Sequence, residues 1–141
     1  MKTLILLIFC CGYNILFSQE VSDKQILKDI KGKEIEWISG AKGYAKVKMR
    51  STKKWGIYII SAYYNSGEPV IQMDEVVAPK FDSIGWFKKL EPFTVVKNNK
   101  KYGLLLNPYE VPDAVERADC NYDAVKVKEV EGRFYSLVKE D

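Results

Sequence analysis

Lys54-Trp55-Gly56-Ile57-Tyr58-Ile59-Ile60 is the stretch that decides the fold class. Beyond Lys54 it is β-branched and aromatic except for one glycine, a composition that suits a pleated, half-buried surface better than a helix. The turn residues Asn65-Ser66-Gly67 follow, and then Pro69-Val70-Ile71-Gln72-Met73, so the two runs predict a hairpin. Upstream, Ala45, Val47 and Met49 alternate with Lys46 and Lys48, the period-2 pattern of a strand with one face in water. Downstream, Phe93 to Lys97 and Tyr102 to Leu106 flank Asn98-Asn99-Lys100, and Ala124 to Val130 and Arg133 to Val138 flank Glu131-Gly132. Pro79, Pro92, Pro108 and Pro112 fall between the runs, where a missing backbone donor costs a sheet nothing. Helical spacing marks Val21 to Gly32, with Ser22 as cap, Ile26, Leu27 and Ile30 on one stripe and Gly32 as stop, while Asp113 to Arg117 could form a helical turn or remain loop. The expectation is a mainly β protein: a small antiparallel domain of seven to nine strands built from repeated hairpins, with a short N-terminal helix. Barrel, sandwich and propeller-like arrangements all remain open, although a full propeller needs more units.

A degenerate repeat runs through these strands. Tyr44-Ala45-Lys46-Val47-Lys48, a polar turn and Lys53-Lys54-Trp55-Gly56-Ile57 align with Phe93-Thr94-Val95-Val96-Lys97, a shorter turn and Lys100-Lys101-Tyr102-Gly103-Leu104. Pro79-Lys80-Phe81-Asp82-Ser83-Ile84 aligns with Cys120-Asn121-Tyr122-Asp123-Ala124-Val125. The repeated Trp55, Gly56, Phe81, Asp82, Tyr102, Gly103, Tyr122 and Asp123 read as packing and turn residues: a large ring beside a glycine where backbones approach closely, and a carboxylate that accepts from turn amides.

Lys54-Trp55-Gly56, Ser66-Gly67-Glu68-Pro69-Val70-Ile71 and Pro79-Lys80-Phe81-Asp82 resemble the WG-repeat family, in which a Lys-Trp-Gly step, a Gly turn and a Pro-x-aromatic-Asp element recur. The resemblance spans roughly residues 44–138 and is close only in the first copy. In the second copy Tyr102 replaces Trp, Asn107-Pro108-Tyr109 replaces the Gly turn, and no Pro precedes Tyr122. It implies an interaction module and carries over no catalytic residue.

At the N-terminus, Lys2 precedes an apolar stretch from Leu4 to Phe17 and then polar Ser18 to Asp23, the order of a cleaved secretory signal. The stretch is short for a membrane span and is interrupted by Tyr13 and Asn14. A lipidated Cys10 or Cys11 is a third reading, against which stand Phe9 before Cys10 and Cys10 before Cys11, where a lipobox takes Gly, Ala or Ser. Residues 1–18 are therefore expected to be signal peptide and 19–141 a single β-rich domain, secreted or periplasmic. The whole chain of 141 residues carries a net charge of +3 and no His. Its cations and carboxylates are interspersed, which speaks against nucleic acid, and no membrane association is expected after cleavage. Beyond the signal only Cys120 remains, so no internal disulfide can form; it reads as a small buried hydrophobe.

Chemistry-bearing motifs are sparse. Without His, neither Ser/His nor Cys/His nucleophiles can be assembled, one cysteine cannot hold zinc, and no Gly-rich loop has phosphate-binding form. Asp74, Glu75, Asp82, Glu110, Asp113 and Glu116 leave a two-carboxylate hydrolase formally open. The sharper feature is aromatic: Trp86 and Phe87 beside Lys88-Lys89, with Tyr63 and Tyr64 at another strand end, could form a face for sugar rings or a protein hot spot, or could equally fill the core. The reading is an exported, non-enzymatic interaction module without cofactor, whose partner is a protein or a glycan. A carbohydrate-binding or carbohydrate-active protein and a structural envelope protein are the alternatives.

Overall fold

Ser22 caps the first helix: its Oγ accepts from the Gln25 amide at 3.3 Å at the start of α1, Asp23–Asp29. The structure, a computed structural model, describes residues 20–87, 92–107 and 120–139. The expected signal peptide and the segment 108–119 lie outside the described residues. Ile26 is buried and Leu27 and Ile30 are half-buried beside it, as the spacing predicts. The helix stops earlier than the glycine suggests. Lys31 takes the left-handed conformation (φ 57°), and Gly32 already belongs to β1, Gly32–Trp37.

Three antiparallel sheets follow. The first joins β1, β2 (Tyr44–Met49), β3 (Trp55–Asn65) and β4 (Glu68–Phe81) in that order. The second joins β5 (Ser83–Ile84), β6 (Phe93–Asn98) and β7 (Lys101–Leu106), and the third pairs β8 (Ala124–Val130) with β9 (Arg133–Lys139). All three expected hairpins form. Their two-residue turns, Ser66-Gly67, Asn99-Lys100 and Glu131-Gly132, have positive φ at both positions, the conformation whose twist matches that of the strands it joins. Pro79 departs from its expected place between strands: it sits inside β4, at the edge of the first sheet, where a missing N–H is tolerated.

Two apolar clusters form. Trp55, Ile57, Val77, Phe81, Ile84, Val96 and Leu105 join the first and second sheets, while Val21, Ile26, Ala45, Val47, Tyr58 and Ile60 seat α1. Burial, helped by the Glu75 carboxylate across the strand pair, pushes the Tyr58 hydroxyl up to about 12.

The repeat is visible in the pairing. Val47 stands opposite Gly56 and Val96 opposite Gly103, and both valines are fully buried. Trp55 pairs with Phe81 as Tyr102 bridges Tyr122. Lys54 Nζ binds Asp82 at 2.5 Å and Lys101 Nζ binds Asp123 at 2.5 Å, while the amides of these aspartates donate to Lys97 O (2.7 Å) and Lys139 O (2.9 Å). Each aromatic-Asp step thus closes one hairpin and opens the next.

The hydrogen bond from Lys54, with a second from the Asn99 amide at 2.8 Å, holds the Asp82 carboxyl below its usual value. Its stabilising contribution is therefore present above the ordinary carboxylate range and is lost as pH falls through the lowered folded value. Because the pair is exposed, Asp82→Asn is expected to cost no more than about 1 kcal/mol at pH 7. In urea titrations the gap between Asp82→Asn and the wild type should narrow at pH 3; a gap independent of pH would contradict this role.

Candidate functional site

Lys46 lies in mid-β2, paired with Glu36 on β1 and Ile57 on β3, on the face opposite Ala45 and Val47. Alternation predicts a solvated lysine there, and the structure corrects that: Lys46 is 5% exposed. The rings of Trp55 and Trp86 cover it, their centroids 6.0 and 4.8 Å from Nζ. A buried ammonium is costly unless paired. Lys46 meets that cost with an ion pair to Glu36 and with donation to Ile84 O at 3.2 Å. The charge also lies against an aromatic face, an attraction worth about 2 kcal/mol when water is excluded.

Trp86 is held by its backbone rather than by burial. The neighbouring Gly85 amide donates to Val95 O at 2.9 Å, and Thr94 Oγ1 donates to Trp86 O at 3.0 Å. The indole itself is 75% exposed. Phe87 turns inward and packs, half-buried, against the cluster around Trp55. Trp37, Ile38, Ser39, Lys46, Trp86 and Phe87 line a hollow of about 50 Å³. Trp37 and Ile38 also border an open depression of about 410 Å³ along the loop to Gly43. Trp37 shares the register of Ala45, toward the helix side, and its Nε1 donates to Asp23 Oδ1 at 2.9 Å.

Of the four aromatics singled out from the sequence, the structure brings Trp86 and Phe87 together. Tyr63 and Tyr64 stand elsewhere, paired with Val70 and Pro69 in the distal half of the β3–β4 hairpin. Tyr63 follows the Lys46 partner Ile57 by six residues, roughly 20 Å along the strand, and as neighbours the two tyrosines face opposite sides. Trp55, Gly56, Phe81 and Asp82, with Tyr102, Gly103, Tyr122 and Asp123, form the joints between sheets described above. Sequence reasoning missed Lys46, Glu36 and Trp37. For Lys46 the one signal in the sequence was the repeat, in which it occupies the place of apolar Val95 in the second copy.

Among the described residues no cluster of His, Cys, Asp or Glu is arranged to hold a metal ion, and no helix is long and apolar enough to cross a membrane. In comparison with known proteins, no family model, curated protein or solved structure matches this chain.

Proposed function

We propose that this chain is an exported, non-enzymatic binding module built on WG-like repeats, and that Trp86 is its principal ligand contact, taking the apolar face of a sugar ring. One observation carries the reading: the Trp86 indole is 75% exposed although its backbone is pinned on both sides and its ring lies over the buried Lys46. A preorganised, solvent-facing ring stacks on a ligand without first being ordered. Small-molecule pockets typically enclose about 300–1,000 Å³, whereas the adjoining hollow measures about 50 Å³. The ligand therefore lies on the surface, with the depression beside Trp37 able to take further rings. The lining supplies the Ser39 hydroxyl and, through Lys46, the Glu36 carboxylate as polar partners. Among the described residues this lining holds no pair of free carboxylates, which two-acid hydrolysis requires.

Trp86→Ala tests the proposal. Capture of the protein on a panel of insoluble neutral polysaccharides is expected to weaken at least 10-fold, while the variant stays folded with a melting temperature lowered by no more than about 10 °C, the cost of uncovering Lys46. Undiminished capture by the folded variant, or failure of every polysaccharide to bind wild type, would refute it. Export is tested separately by the mass of the processed chain: a start near Gln19 supports the signal, an acylated Cys10 or Cys11 indicates a lipid anchor, and retention of Met1 on protein found only inside the cell opposes export.

A further inference from the structure

We propose that one face of the β8–β9 hairpin docks on an anionic phospholipid surface. The register sets Lys126 opposite Leu137, Lys128 opposite Tyr135 and Arg133 opposite Val130, and directly opposed residues share a face. All six are exposed, with Leu137 at 56% and Tyr135 at 47%. Each cation on this face thus faces an apolar side chain in water. None of the three forms an ion pair among the described residues. Of the hairpin's carboxylates, Glu129 pairs with Phe134 on the other face and Glu131 sits in the turn. Lys139, opposite Ala124, is followed in sequence by Glu140 and Asp141, which offset its charge.

Charge complementarity selects a polyanion, and it excludes a second copy of the same face, since like charges would meet. Leu137 and Val130 decide which polyanion. An acidic polysaccharide could use the cations and Tyr135 but offers aliphatic side chains nothing. The headgroup boundary of a bilayer accepts all three kinds together: phosphates for Lys and Arg, the interfacial zone for Tyr, and acyl chains for Leu and Val. The net charge of the chain conceals this surface, because it appears only once pairing aligns alternate residues of two strands. The proposal is independent of the Trp86 site.

The test is cosedimentation of the full chain with vesicles of phosphatidylcholine alone or mixed with phosphatidylglycerol. Each cation near an anionic surface strengthens binding about 5-fold, so three predict roughly 100-fold tighter binding to the mixed vesicles, weakening as salt is raised. The apolar N-terminal stretch, where retained, is common to every variant and does not discriminate between the two lipids. Lys126→Glu/Lys128→Glu/Arg133→Glu is expected to abolish the preference, and Leu137→Asp to weaken binding about 10-fold, both with unchanged near-ultraviolet circular dichroism. The milder Lys126→Gln/Lys128→Gln should reduce the preference about 25-fold should the charge reversal disturb folding. Equal binding to both vesicle types, or a folded charge-reversal variant that binds like wild type, overturns the proposal. Tighter binding to soluble dextran sulfate than to the mixed vesicles, indifferent to Leu137→Asp, overturns it in favour of an acidic polymer.

Discussion

Gly56→Val is expected to destabilise the protein by about 3 kcal/mol or more, the upper end of overpacking costs, and to lower its melting temperature by roughly 10 °C. The reason is space. A Cβ at this position would stand 2.5 Å from Val77 O, 3.0 Å from Pro79 N and 3.1 Å from the Ala78 carbonyl carbon, all backbone atoms of β4. A flexible side chain could swing away, but a paired strand cannot. The register of β3 against β4 shifts beside Gly56, between Trp55 and Ile57, so the two backbones come closest where the pairing is irregular. Gly67 makes the control. Its φ is 85° but its Cβ direction is empty, so Gly67→Ala meets only the left-handed penalty of about 1 kcal/mol. Thermal denaturation of the two variants separates the mechanisms; a Gly56→Val protein as stable as Gly67→Ala would show that β4 yields.

Glu36→Gln is expected to cost about 3 kcal/mol, more than Lys46→Met at the other end of the same ion pair. The two partners are unequally buried, with Lys46 at 6% side-chain exposure and Glu36 at 39%. Removing the carboxylate leaves an ammonium in the interior with two backbone carbonyls, Ile84 O and Gly85 O, for partners. Removing the lysine leaves a carboxylate that water already reaches, and Met fills much of the vacated volume, so about 1 kcal/mol is expected. The double variant should resemble Lys46→Met alone, because the stranded charge is gone. Urea denaturation of the three proteins gives the comparison, and equal costs for the two single changes would mean that water reaches Lys46 as readily as Glu36.

The hairpins were legible because their information is local. Asn65-Ser66-Gly67, Asn98-Asn99-Lys100 and Glu131-Gly132 carry turn chemistry between β-branched runs, and two-residue turns fix register without help from the rest of the molecule. The strand β1 was not legible. Gly32-Lys33-Glu34-Ile35-Glu36-Trp37 has little strand character of its own and is a strand because β2 pairs with it. Lys46 failed for a related reason: alternation tells which residues share a face, but not that Trp55 and Trp86, both distant in sequence, will roof that face. At the candidate site, Trp86 and Phe87 were found from ring density alone, whereas the ion pair beneath them depended on tertiary pairing. Tyr63 and Tyr64 looked equivalent to them in sequence and differ only because β3 runs far beyond β2.

The hydrogen bond from Trp37 to Asp23 crosses from the rim of the hollow to the first residue of α1. The helix is seated on one apolar cluster and Phe87 on the other, and this bond links the two sides of the sheet. Short helices at a domain margin open locally far more often than the whole protein unfolds. Each such opening would release the indole bordering the hollow. A ligand that needs Trp37 in place must then slow amide exchange in α1, and a change that loosens α1, such as Ser22→Ala at its cap, must weaken that ligand by the factor by which the closed population falls.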